Sequence, residues 1–329
     1  MSRVQLCIYR PISPSTEDDQ TCLHMMFSQA FIIAGPSRPR LGSVPKSPGV
    51  AVACLALNLV SAAWAGDRIL ATSGVSQIEG AAGGGLVPWA VVGGLGSSNQ
   101  VGASAYATHI RTQGGYNLNI QGAAVGVNDT VEVSMARWSF KFSDTVPGET
   151  ARMNVLGAKW RISGNALYDQ DTWWPQISVG LHYKVNEDYG VVPKLLGALR
   201  NADTDIYLSA TKVWLGAVWG HNLLVNATLR ATRANQFGLL GFGGDRSDSH
   251  SLMPELSMAV LLRDDLAVGA EFRAKPSKLS AFREENAYDA FVAWFPTRHV
   301  SLTAAWLELG NIANKPGQRS LYVSAQVAY

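Results

Sequence analysis

Between Ser320 and Tyr329 the side chains alternate in character: Leu321, Val323, Ala325, Val327 and Tyr329 share one parity, and Ser320, Tyr322, Ser324, Gln326 and Ala328 share the other. Successive strand residues point to opposite faces, so the segment reads as a strand with one apolar and one mostly polar face. A buried edge strand of a soluble domain can alternate in the same way. The closing strand of an outer-membrane β-barrel combines alternation with a final aromatic residue, its apolar face against lipid and its polar face against a lumen. On that reading Leu321, Val323, Ala325, Val327 and Tyr329 form a C-terminal assembly signal, and the barrel assembly machinery of the outer membrane is an expected partner.

Other segments repeat the pattern. Ile177, Val179, Leu181, Tyr183 and Val185 oppose Gln176, Ser178, Gly180, His182 and Lys184. Leu223, Val225, Ala227, Leu229 and Ala231 oppose Asn222, Asn226, Thr228, Arg230 and Thr232, with Leu224 the exception. Leu266, Val268, Ala270 and Phe272 oppose Ala267, Gly269, Glu271 and Arg273. The chain is 47% hydrophobic, yet beyond Gly66 no apolar run approaches a membrane helix in length. A membrane-embedded form must therefore cross as strands.

Gly49 to Ala65 (GVAVACLALNLVSAAWA) is apolar, follows Arg38, Arg40 and Lys46, and closes on Ala63-Trp64-Ala65. Basic flank, apolar middle and small-x-small ending are the parts of a secretory signal. Residues 1–48 read as a non-structural leader or a mis-assigned start, 49–65 as the signal's hydrophobic region, and 66–329 as one barrel domain. Cys7, Cys22 and Cys54 all precede the expected cleavage after Ala65, so the exported chain has no thiol for a disulfide, a metal or a nucleophile. A net charge of +2 without a lysine-arginine run argues against nucleic acid.

Tight polar turns punctuate the strands at Asn128-Asp129, Asp264-Asp265 and Pro296 to His299, and alternate with long polar connections at Ser143–Ala151, Asn186–Asp203, Asn235–Asp248, Pro276–Asn286 and Asn311–Arg319. Short turns at one end and long loops at the other are the habit of bacterial barrels, with the short turns periplasmic. Trp173, Trp174, Trp214, Trp219 and Trp294 fall at strand ends beside the short turns, where an aromatic girdle sits. The expected fold is an all-β antiparallel transmembrane barrel of about fourteen strands, with Ile69 to Ile78 as a weak first strand and Gly80–Gly85 as a loop. Twelve is the alternative, with 84–94 outside the wall.

On the faces so assigned, Glu132, Lys159, Arg161, His182, Lys184, Arg230, Glu255, Glu271, Arg273 and Lys275 point into the lumen. Two readings stay open. A basic excess in a pore favours anions; equally, these groups can form a salt-bridge lattice that plugs a narrow barrel.

The glycine-rich stretches Gly80–Gly85 and Gly238–Gly244 lack the lysine-serine/threonine ending of a phosphate loop and read as flexible loops. Ser247-Asp248-Ser249-His250 places triad residue types side by side, but triads assemble in space rather than by adjacency, so a hydrolase is only a minor alternative. No cofactor or metal site is expected, and neither is enzymatic activity.

The stretches Gly74–Ala90 (GVSQIEGAAGGGLVPWA) and Ala234–Arg246 (ANQFGLLGFGGDR) resemble those of an exported bacterial family, domain-of-unknown-function family 3034. The resemblance runs from about Ile69 to the terminus. It implies residence in the outer membrane of a Gram-negative-type bacterium and no catalytic or ligand residues. The expected function is a porin-like channel for small solutes with weak anion preference, and the alternative is a structural or surface-interaction barrel; outer-membrane lipid is a partner in either case.

Overall fold

The computed structural model describes residues 70–71, 73–142, 147–190, 192–312 and 315–329. The leader and signal readings for 1–65 lie outside the described residues.

Twelve antiparallel strands close into a barrel. Two further strands of two residues each, β1 (Val75–Ser76) and β2 (Ala82–Gly83), pair only with one another. The wall runs β3 (Val101–Thr112), β4 (Asn117–Val127), β5 (Val131–Lys141), β6 (Thr150–Ser163), β7 (Gln176–Asn186), β8 (Ala202–Val218), β9 (His221–Thr232), β10 (Ser251–Arg263), β11 (Leu266–Arg273), β12 (Ala287–Thr297), β13 (Val300–Glu308) and β14 (Arg319–Ala328). Neighbours in sequence are neighbours in space, and β14 returns to β3 with Val323 opposite His109 and Val327 opposite Ala105.

Fourteen strands is thus corrected to twelve. Neither 73–78 nor 84–94 enters the wall: Val75–Ser76 pairs with Ala82–Gly83 instead, and the glycine run Gly80–Gly85 is buried rather than an exposed loop. The reason is compositional. A wall strand needs an apolar lipid face and a polar inner face: Gly74 to Gly85 offers no alternating apolar set, and 84–94 is apolar or glycine at both parities.

One barrel end carries the turns 128–130, 219–220, 264–265 and 298–299, together with one longer connection, 164–175. Asn128 and Asp129 take φ of 54° and 50°, the left-handed pair that a two-residue hairpin turn requires and that Asn and Asp tolerate. The other end carries the long connections and one tight turn, 113–116. Trp173, Trp174, Trp214, Trp219 and Trp294 are all exposed near the short-turn end. Outward positions elsewhere are exposed and apolar: Leu181, Ile206, Leu208, Leu229, Leu256, Met258, Val292, Leu302 and Leu321. An apolar surface over most of a sheet's outer face is what lipid demands and what water penalises. No helix among the described residues is long and apolar enough to cross a membrane.

On β14, Leu321, Val323 and Val327 face outward and exposed, and the Tyr329 ring stacks on His299 at 4.9 Å. Replacing Val323 and Val327 with Lys places charge on the lipid side, at about 2–4 kcal/mol each near the midplane and less near the interface. The expected outcome, together with Tyr329→Asp, is a large fall in heat-modifiable barrel recovered from outer membrane; undiminished yield would contradict the assigned facing.

Candidate functional site

Every residue from Ser73 to Gly96 is buried. Eight strands leave a bore that side chains alone can fill, whereas twelve leave more room. Here that room is taken by residues 73–96, which run through the lumen as a plug. Irregular backbone at this depth has no bulk water to bond, so the wall must satisfy it.

The inner wall does so with side chains. Glu132 accepts the Gly93 amide at 2.7 Å and the Ala82 amide at 3.2 Å. Lys159 donates to the Ala82 and Val91 carbonyls at 3.0 and 2.7 Å and pairs with Glu132 at 3.1 Å. Glu271 takes the Leu86 amide at 2.6 Å. Ala90 is held from both sides: its amide donates to Thr211 Oγ1 at 2.7 Å, and its carbonyl accepts Gln176 Nε2 and Ser178 Oγ at 2.7 and 2.5 Å. Thr228 donates to the Pro88 carbonyl at 2.8 Å. Tyr106 and Trp138 both donate to the Ile78 carbonyl, at 3.2 and 2.8 Å.

Glycine lets plug and wall come this close. A Cβ on Gly84 would lie 2.0 Å from Glu271 Oε1, and one on the wall's Gly126 would lie 2.4 Å from the Gly93 carbonyl oxygen. The glycines of both segments are therefore contact surfaces.

At the centre stands Glu79, fully buried on the plug. Its carboxylate pairs with Lys184, with Arg273 at 2.8 Å and with Arg230 at 3.2 Å, and lies 3.3 Å from His182 Nδ1. Gln77, two residues earlier, donates to it at 2.9 Å and accepts its backbone amide at 2.8 Å. The wall supplies two more acids: Asp205 pairs with Lys184 at 2.6 Å, and Glu255 pairs with Arg230 and Arg273 at 2.5 and 3.2 Å. The result is a lattice of alternating sign, the arrangement in which buried charges are tolerable.

The connection between β9 and β10 meets the plug from the long-loop end. Gln236 and Phe237 are buried with φ of 45° and 62°, a left-handed conformation uncommon for residues with side chains. Their bonds hold it: Gln236 Nε2 donates to Glu284 at 2.6 Å, its amide to the same carboxylate at 2.8 Å, and Asn186 Nδ2 donates to the Gly238 and Leu239 carbonyls at 3.2 and 2.8 Å. The Phe237 ring lies under Arg273, 4.7 Å from Cζ, and the Phe237 carbonyl accepts Lys184 at 3.2 Å. Lys184 and Arg273 thus hold plug and loop at once. Beyond the strand end, Lys275 and Glu284 pair at 3.3 Å; burial pulls the Lys275 ammonium down and pushes the Glu284 carboxyl up. Between plug and loop remains an apolar cavity of about 30 Å³ lined by Ile78, Leu86, Trp138, Phe237, Leu239 and Leu240 among others.

All ten residues assigned to the lumen from sequence point inward. Nine are buried; Arg161 lies nearer the short-turn end and pairs with Asp129 at 2.6 Å. What sequence reasoning missed is the counter-charge. Glu79 falls between the weak strand expected at Ile69 to Ile78 and the loop expected at Gly80–Gly85, and Asp205 and Asp289 lie on inward positions of wall strands outside the expected lumen set. Both glycine stretches, read as flexible, are packed. The Ser247–His250 run does not converge: Asp248 is held by Arg200 at 2.5 and 2.6 Å, while His250 Nε2 lies 3.3 Å from the Thr204 carbonyl.

Residues 72–326 match the family described as "Protein of unknown function (DUF3034)". The chain belongs to that family. No curated protein matches it. Among solved structures it is similar to the KdgM porin, at 10% identity over 69% of this chain and 99% of that one with a TM-score of 0.44. It is similar to Omp33 of Acinetobacter baumannii at 9%, 70%, 98% and 0.41, and to outer membrane phospholipase A of Escherichia coli at 10%, 68%, 92% and 0.40, in the same order. At these scores the likenesses bear on neither substrate nor activity.

Removing one partner from a buried ion cluster leaves the others uncompensated, at about 3–5 kcal/mol. Glu79→Ala should therefore lower the unfolding midpoint in urea with the barrel refolded in lipid vesicles, and Glu79→Gln combined with Lys184→Gln should cost less than the two single changes added together. Additive effects would mean that Glu79 and Lys184 do not share the lattice.

Proposed function

We propose that the protein is an outer-membrane β-barrel acting as a porin-like conduit for small solutes, held shut by residues 73–96, and that it has no enzymatic role. The apolar outer wall and the tryptophan girdle support the location. The observation that carries the conduit reading is an inner wall whose hydrogen-bonding groups engage a segment that pairs with no wall strand. Displacing that segment breaks ion pairs and hydrogen bonds but leaves every strand of the barrel paired.

With the plug in place, Glu79 balances Lys184, Arg230 and Arg273. With it displaced, these three cations lose a shared counter-ion, and the open passage takes on a weak anion preference. Selectivity of this kind fades with salt, since the Debye length falls from about 10 Å at 0.1 M to about 3 Å at 1 M.

Planar-bilayer recording tests the reading. The full-length barrel should be silent or open rarely, Glu79→Gln should open more often, and a barrel lacking 73–96 should give steady steps with an anion-directed reversal potential at low salt. Arg230→Glu together with Arg273→Glu in that shortened barrel should move the potential toward cations. If the shortened barrel folds, as judged by its heat-modifiable gel shift, and stays silent, a structural or surface-interaction barrel replaces the conduit.

A further inference from the structure

The outer face is not uniformly apolar. On β3 to β6, at the long-loop end, three successive outward rows are polar. In the uppermost, Arg111 is opposite Asn117, which is opposite Lys141. Below it lie His109, Asn119, Ser139 and Arg152 in register, and below these Gln121, Arg137 and Asn154. The next rows return to type, with Ala105, Ala123, Met135 and Leu156 and then Ala103, Val125, Val133 and Ala158. Apolar neighbours flank the patch at Leu321 and Val323 on β14 and at Val185, opposite Asn154, on β7, while Glu187 and Asp188 adjoin Arg152.

Three rows two residues apart extend about 13 Å along a strand, or about 10 Å along the membrane normal at a strand tilt of about 40°. That is deeper than the headgroup layer of roughly 5–7 Å on each side of a hydrocarbon core. Acyl chains cannot bond these groups, so on the membrane reading they call for a polar neighbour. Part of the patch is satisfied internally: Arg152 pairs with Asp188 at 2.9 Å, Arg137 with Glu187 at 3.4 Å, and His109 Nδ1 bonds Asn119 at 2.8 Å. Arg111 and Lys141, both exposed, have no acidic partner among the described residues. They stand two strands apart, about 10 Å between backbones, so their side chains can converge on one anion above Asn117.

We infer that this patch holds the phosphorylated sugar headgroup of an outer-leaflet glycolipid. Arg111 and Lys141 take a phosphate, since charge-assisted bonds to phosphate suit both side chains. Asn117, Asn119 and Gln121 face the sugar hydroxyls. The assignment rests on the outer-membrane reading above. A second copy of the chain is the poorer occupant, because a self-complementary contact would set Arg111 and Lys141 against the same cations of its mate.

Native mass spectrometry of the full chain, freed of lipid in a zwitterionic detergent, provides the test. The probes are bis-phosphorylated lipid A, the same lipid with its phosphates removed, and phosphatidylglycerol. One tightly held bis-phosphorylated lipid is expected, with at least tenfold weaker retention of the other two. Arg111→Gln with Lys141→Gln should lower that retention at least tenfold, while Arg263→Gln at the short-turn end leaves it unchanged. The heat-modifiable gel shift shows that each variant is folded. Equal retention of the dephosphorylated lipid, unchanged binding by the double variant, or a dimer that dissolves in that variant would each overturn the proposal. Failure here in a protein that fractionates with outer membrane touches only this patch; recovery in the soluble fraction would remove the membrane reading as well.

Discussion

Everything inside the barrel depends on finding partners for one carboxylate. Glu79 lies where solvent does not reach, and an unpaired charge there would be costly enough to expel the plug. Three cations on three different strands, Lys184 on β7, Arg230 on β9 and Arg273 on β11, converge on it. Each of the three is in turn shared with Asp205 or Glu255. The wall alone would be overcharged at this level and the plug alone would carry a bare acid. Neither arrangement is satisfied without the other.

The wall was legible in the sequence because lipid imposes a two-residue period over ten or so residues, and that period survives in Ile177–Val185, Leu223–Ala231 and Leu321–Val327. The facing of Lys184, Arg230, Glu255 and Arg273 followed from the same parity. The plug was not legible, because it has no period to read. Its bonds are made to residues far along the chain, as with Leu86 to Glu271 and Ala90 to Thr211. Gly80–Gly85 and Gly238–Gly244 look alike to a local reading whether they are free or packed. Only a partner such as Glu271, pressed against Gly84, tells the two apart.

The two segments that carried the family resemblance occupy the lumen together. Gly74–Ala90 forms most of the plug, and Ala234–Arg246 includes the loop that meets it. Lys184 and Arg273 touch both. The left-handed backbone of Gln236 and Phe237 is held by Glu284, Asn186 and the cations above Phe237. Strain of that kind persists only where surrounding contacts over-determine it. What distinguishes this chain from a bare ring of strands is therefore concentrated in sequences that look structureless.

The seam of the barrel carries one more implication, for the order of events in assembly. The Tyr329 carbonyl accepts the amides of Leu95, where the plug leaves the lumen, and of Ala103, on the first wall strand. One backbone oxygen thus belongs to both the ring and its filling. Zipping β14 onto β3 is the contact of greatest sequence separation in the sheet and carries the heaviest chain-entropy cost. If the ring sealed first, the filler would have to be threaded into a finished cylinder through a crowded mouth. Because the sealing bond and the exit of the plug meet at one residue, the wall is built to wrap around cargo already in place, much as staves are drawn in around a core.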